Sequence, residues 1–154
     1  MQSYKTYSIW NNFFKDSDVI IEQDEWNEDY EGMIISCETF NFKSRLAKKT
    51  PKKPGYFVAI WKKDGLNKNI PLNENDLGDY LVVNILDDNL EGQFVFPVGV
   101  LTKKGIIQSE KSKGKMAFRI YPPWVKDLNK TAIVTQTWQK EYFFDMNEYH
   151  FNSK

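Results

Sequence analysis

A single cysteine, Cys37, stands in the chain, so no internal disulfide or thiolate zinc centre can form, and nothing points to an oxidising compartment. Histidine is equally scarce. The sole one, His150, lies four residues from the end, which argues against a Ser-His-Asp or Cys-His catalytic group. No apolar run approaches the roughly 20 residues that cross a bilayer. Met1–Lys5 also lacks the apolar stretch of a signal peptide, so a cytoplasmic location with no membrane association is expected. Glycine fingerprints are missing: Lys113-Gly114-Lys115 has no upstream glycine at phosphate-loop spacing, and no Gly-rich dinucleotide motif follows a strand. No cofactor or resident metal is therefore expected. Cys37 falls on the apolar face of a strand pattern and reads as a structural thiol.

Net charge is also absent, with 21 basic and 21 acidic residues, yet the charges are strongly segregated. From Asp16 to Phe42 there are nine acids and no Lys or Arg. From Lys43 to Lys63 there are eight Lys or Arg and no acid: Lys43, Arg45, Lys48, Lys49, Lys52, Lys53, Lys62 and Lys63. Acids return over 64–91, and a second basic stretch follows with Lys103, Lys104, Lys111, Lys113, Lys115 and Arg119. Such alternation lets a neutral chain present one positive and one negative face. Charge order also raises the expectation that the acidic segment 16–31 competes for the basic face.

Aromatic residues make up 16% of the 154 positions, enough for one domain over 1–154 with a ring-rich core. Ile9, Trp10, Phe13 and Phe14 predict an N-terminal helix reaching toward Ile21. Strands are predicted around Met33–Cys37, Tyr56–Trp61, Asp79–Leu86, Gly92–Pro97 and Lys115–Tyr121, with 66–78 a connecting loop. Pro97 is placed to open a short helix, and Thr131 to cap a last one. In the strand from Lys115, alternation puts Lys115, Ala117, Arg119 and Tyr121 on one face and Met116, Phe118 and Ile120 on the other. The fold class is α+β, with N- and C-terminal helices around one central mixed sheet.

The run from Arg45 to Lys63, the segments Gly92–Pro97 and Gly114–Trp124, and Gln136-Thr137-Trp138-Gln139 together resemble the MepB family. That family takes its name from a bacterial operon that also encodes a multidrug efflux pump and its repressor. The resemblance implies a restriction-endonuclease-like fold and a role in the response to antimicrobials. Nucleases of that fold hold Mg²⁺ with an acid at the start of one strand and an acid-x-Lys triplet on the next. Asp79 matches the first acid. The triplet falls at Gln93-Phe94-Val95, where a neutral amide replaces the acid and an apolar side chain replaces the lysine. Asp79 and Gln93 are thus at most vestigial, and no nuclease activity is expected. Relocation of Glu38, Glu91 or Asp76 into the site is the alternative that would restore it.

The leading expectation is therefore a catalytically degenerate nucleic-acid-binding protein. Its phosphate contacts would come from the eight cations of 43–63 together with Lys115 and Arg119, with Trp61 and Tyr121 beside them as rings for unpaired bases. Stacking of that kind contributes roughly 1–3 kcal/mol per base and gains nothing from a closed duplex. RNA and single-stranded DNA are accordingly expected to bind ahead of double-stranded DNA. A protein-docking accessory role is the remaining alternative, and no protein partner is specified.

Overall fold

The computed structural model describes residues 3–15 and 18–146, so Asp16 and His150 lie outside the described residues. The chain begins with helix α1 (Tyr7–Phe13) and continues through strands β1 (Val19–Gln23), β2 (Met33–Cys37), β3 (Asn41–Leu46), β4 (Lys48–Lys49), β5 (Tyr56–Ala59), β6 (Lys62–Lys63) and β7 (Asn69–Ile70). Helix α2 (Glu74–Leu77), strands β8 (Tyr80–Asp87) and β9 (Leu90–Pro97), and helix α3 (Val98–Lys103) follow. Strand β10 (Ala117–Ile120), helix α4 (Lys130–Gln139) and strand β11 (Phe143–Asp145) complete it.

A six-stranded sheet in the order β1-β2-β3-β8-β9-β11 forms the centre. It is mixed because β3 and β8 run parallel while its other pairs are antiparallel. Strand β8 is apolar on both faces, as a central strand must be. Val82 packs with Trp10, Met33, Ile35 and Phe42 beneath α1, whereas Leu81, Val83 and Ile85 pack with Phe94, Phe96, Val58 and Ile120 on the other side. Each such fully buried side chain contributes roughly 1.5–3 kcal/mol.

Four expectations need correction. The N-terminal helix stops at Phe13, and Val19–Gln23 is an edge strand. Helix α1 is instead held by the loop after β1, since the Glu31 carboxylate accepts from N of the N-cap Thr6 at 2.9 Å and from N of the preceding Lys5 at 3.0 Å. The strands at 56–59 and 117–120 do not join the central sheet; with β4 they form a second antiparallel sheet in the order β10-β5-β4. Finally, Asn129 rather than Thr131 caps α4, its side chain accepting from Ala132 N. The 66–78 segment, too, holds β7 and α2. Pro97, by contrast, does end β9 and open α3.

Gly55 positions the second sheet. Its φ of +91° is a left-handed conformation, and a Cβ there would sit 2.8 Å from the Tyr121 ring and 2.9 Å from the Ile120 carbonyl oxygen. Gly55→Ala is expected to cost roughly 1–3 kcal/mol and to displace Tyr121. Urea unfolding checks the first effect, and an unchanged midpoint would contradict it.

Candidate nucleic-acid interface

Pairing in the second sheet sets Lys48 opposite Phe57, and Phe57 opposite Arg119. Directly paired residues share a face, so two cations distant in sequence flank one ring in a single row about 10 Å wide. Lys48 Nζ also lies 5.0 Å from the Tyr30 ring centre, and that ring is 6.3 Å from Phe57. The opposite face of β5 is occupied by the core, with Tyr56 and Val58 buried. Tyr56 donates to Asp87 Oδ2 at 2.6 Å and accepts from Trp124 Nε1 at 3.0 Å. Burial, then the bond to Asp87, pushes its phenol up to about 12. Trp124 is thus a structural ring.

Arg119 is held by the basic loop. Its Nη2 donates to Thr50 Oγ1 at 2.6 Å and to the Pro54 carbonyl at 2.7 Å, both neutral acceptors that leave its charge uncancelled. Lys52 and Lys53 lie exposed in that same loop, and Lys115 is exposed just before β10. Among the described residues none of Lys48, Lys52, Lys53, Lys115 and Arg119 makes an ion pair. Lys49 is exposed on the far side of β4, 3.6 Å from Asp87.

Other expected contacts are moved away from this surface. Lys43 and Arg45 are buried in β3, Arg45 completely, because both faces of that strand are covered. Asp24 Oδ2 accepts from Lys43 Nζ at 3.0 Å and from Arg45 Nη2 at 2.9 Å. The acidic segment thus does engage basic residues, but inside the fold, where it removes them from the cations expected to meet phosphate. Burial raises the Asp24 carboxyl, yet Arg45 and Lys43 outweigh it and hold it below the usual carboxylate range.

Lys62 pairs with Asp76 at 2.8 Å, and Lys63 donates to Asn69 Oδ1 at 2.8 Å and lies over Trp61. Trp61 itself lines a cleft with Glu25, Glu28 and Asp29, whose carboxylates repel phosphate, so it leaves the expected cationic platform. Tyr121 keeps its place beside Arg119, 6.0 Å from the guanidinium carbon, but is only 9% exposed; it forms a wall, not an open stacking surface.

The two vestigial positions are not brought together. Asp79 Oδ2 accepts from Asn41 N at 2.9 Å and ties the start of β8 to β3. Gln93 pairs with Asn84, five positions along β8 from Asp79. That places it about 16 Å away. Its amide donates to Asn84 Oδ1 at 2.8 Å, and Asn84 in turn donates to Ser44 Oγ, which also accepts from Trp10 Nε1. Asp76 completes the capping box of α2 by accepting from Asn73 N, and among the described residues no group of three His, Cys, Asp or Glu could hold a metal ion. These residues do not fit a Mg²⁺ site. Cys37 is half-buried, and burial pushes its thiol up, away from nucleophilic character.

Sequence reasoning missed Lys104 and Trp138 as site residues. Lys104 Nζ lies 5.3 Å from the Trp138 ring centre, and both line a cleft that also holds Lys115, Arg119 and Tyr121. The available signal is the spacing of Thr135, Trp138 and Gln139, which share one face of α4. Among the described residues no helix is long and apolar enough to cross a membrane.

Comparison with known proteins supplies the context. The family model described as MepB-like matches residues 24–145. A solved structure titled "Crystal Structure of MepB" aligns with a TM-score of 0.84 and 44% sequence identity, covering 94% of this chain and 99% of that one. No curated protein matches the chain. With most of its length matched by the family model and its mixed sheet shared with that structure, the chain belongs to the MepB-like family.

Proposed function

We propose that the protein binds nucleic acid through the outer face of the second sheet and has no nuclease activity of its own. The observation that carries this reading is the row Lys48–Phe57–Arg119, extended by Lys52, Lys53 and Lys115, in which cations without carboxylate partners alternate with a ring. The cations track a phosphate backbone and supply affinity without reading sequence. Phe57, half-buried between two cations, presents a face to an unpaired base, which favours RNA and single-stranded DNA over duplex. On this reading the sheet is restriction-endonuclease-like but without a catalytic centre, since Gln93 and Val95 are neutral and Gln93 lies about 16 Å from Asp79. The protein then acts in the cytoplasm, in the response to antimicrobials alongside a multidrug efflux system, by holding a strand intact.

The test titrates the pure protein against labelled single-stranded RNA, single-stranded DNA and duplex DNA at several salt concentrations, with and without Mg²⁺, reading binding and strand length together. Intact strands should bind with a log–log salt slope of roughly −3 to −4, as about five phosphate contacts at about 0.7 each require. Duplex should bind more weakly. Mg²⁺-dependent shortening would return the nuclease alternative, and no binding at low salt would favour a protein-docking role.

A further inference from the structure

Most of the cationic face is open, but at one edge it runs into a recess between β10 and α4. The recess has a volume of about 390 Å³ and is lined by Lys104, Lys115 and Arg119 and by the rings of Phe57, Tyr121 and Trp138. Small-ligand sites occupy roughly 300–1,000 Å³, so this one has room for a single nucleotide and not for the passage of a strand. We propose that it is a binding site for a nucleoside phosphomonoester, either the phosphorylated end of a single strand or a free nucleoside monophosphate. The proposal rests on the nucleic-acid reading above and assigns the recess a distinct chemical preference.

Charge points to a monoester. Three cations line the recess, and no carboxylate does. A phosphodiester within a strand carries a single negative charge, whereas a terminal phosphate carries about −1.5 to −2 near neutral pH and offers more acceptor oxygens. The other large recesses differ in this respect. The one beside α2 and α3 places Glu74 and Glu110 next to its lysines, and the one at Trp61 is acidic.

The rings fit the remaining part of such a ligand. Trp138 is half-buried, and an exposed face is already used by a cation, Lys104, through a contact worth about 0.5–1 kcal/mol. A phosphate offers Lys104 a stronger partner, and the ring it vacates is free to stack a base. The walls are also held in place. The fully buried side chain of Gln139 accepts from Tyr121 N at 2.9 Å and donates to the Arg119 carbonyl at 2.9 Å, clamping α4 to β10. Arg119 is fixed from the other side by Thr50 and Pro54. A recess held this way loses little entropy on binding.

The test compares ten-nucleotide single-stranded RNAs carrying a 5′ phosphate, a 3′ phosphate or no terminal phosphate, by fluorescence anisotropy. Adenosine monophosphate, adenosine and inorganic phosphate serve as competitors. At least one phosphorylated end should tighten binding about tenfold, the equivalent of one or two charge-assisted hydrogen bonds. The monophosphate should compete where adenosine and inorganic phosphate do not. The double variant Lys104→Gln/Lys115→Gln, changed only at exposed positions, should lose the advantage, whereas Lys52→Gln/Lys53→Gln should weaken all strands and keep it. Strands that bind equally well with and without a terminal phosphate would overturn the proposal and leave the nucleic-acid reading standing. Monophosphate binding without strand binding would support the recess with a free nucleotide as its ligand and remove that broader reading. Binding of neither would overturn both.

Discussion

Replacing Asp24 with alanine is expected to destabilise the protein by about 3–5 kcal/mol, the usual cost of leaving a buried charge without its partner. Domains of this kind retain only about 5–15 kcal/mol in total, so the variant will be largely unfolded or close to it at moderate temperature. Arg45 is the reason. Its side chain is 0% exposed, and although Nε and Nη2 reach Asn27 Oδ1 at 3.2 and 3.0 Å, its charge is balanced by Asp24 Oδ2 at 2.9 Å. Lys43 shares that oxygen but keeps some contact with water, so Lys43→Met should cost less than Asp24→Ala.

The same cluster sets a pH dependence. Burial pushes the Asp24 carboxyl up, but Arg45 and Lys43 draw it down further, so its value in the folded protein lies below that in the unfolded chain. The unfolded state therefore takes up this proton first, and the stabilisation is complete above the ordinary carboxylate value near about 4. It is lost as pH falls from there through the folded value. Urea unfolding between neutral and acid pH should show this decline in the native protein and a shallower one in Asp24→Asn. An Asp24→Ala midpoint equal to that of the native protein would refute the account.

Charge reversal at Lys48 and Lys115 together should weaken single-strand binding about 100-fold at low salt and flatten the salt slope by about 1.4, two phosphate contacts at about 0.7 each. The two residues belong to segments far apart in the chain and are brought to one face only by the pairing of β4, β5 and β10. Lys43→Met and Lys62→Gln are the controls. The first removes a buried cation and the second one already paired with Asp76, so neither should change the slope. Loss of binding in Lys43→Met while the protein stays folded would mean that the strand reaches β3, and the proposed face would be wrong.

Sequence pattern carries a good deal of this fold. Strand β8 announces itself through a long apolar run and β9 through the segment Phe94-Val95-Phe96, and Pro97 marks the boundary of β9 with α3 because a fixed φ ends one element and suits the start of the next. The alternation in β10 correctly separates Phe118 and Ile120, which are buried, from Arg119, which is half-buried. Helix α1 is harder to delimit because Val19 and Ile21 continue an apolar pattern that fits either helix or strand over a short span.

The sequence by itself determined the α+β class, the family and the two basic stretches. Those properties rest on local periodicity and residue identity, which a chain carries whether or not it is folded. Tertiary structure alone decided which cations face solvent. Lys43 and Lys48 are equivalent as entries in a charge run, but one is covered and paired by Asp24 from a loop 19 residues earlier, while the other stands exposed at the edge of a second sheet. Burial and ion pairing depend on contacts between distant segments, so the line between a buried, paired cation and an exposed, unpaired one appears only when the sheet and its covering loops are assembled.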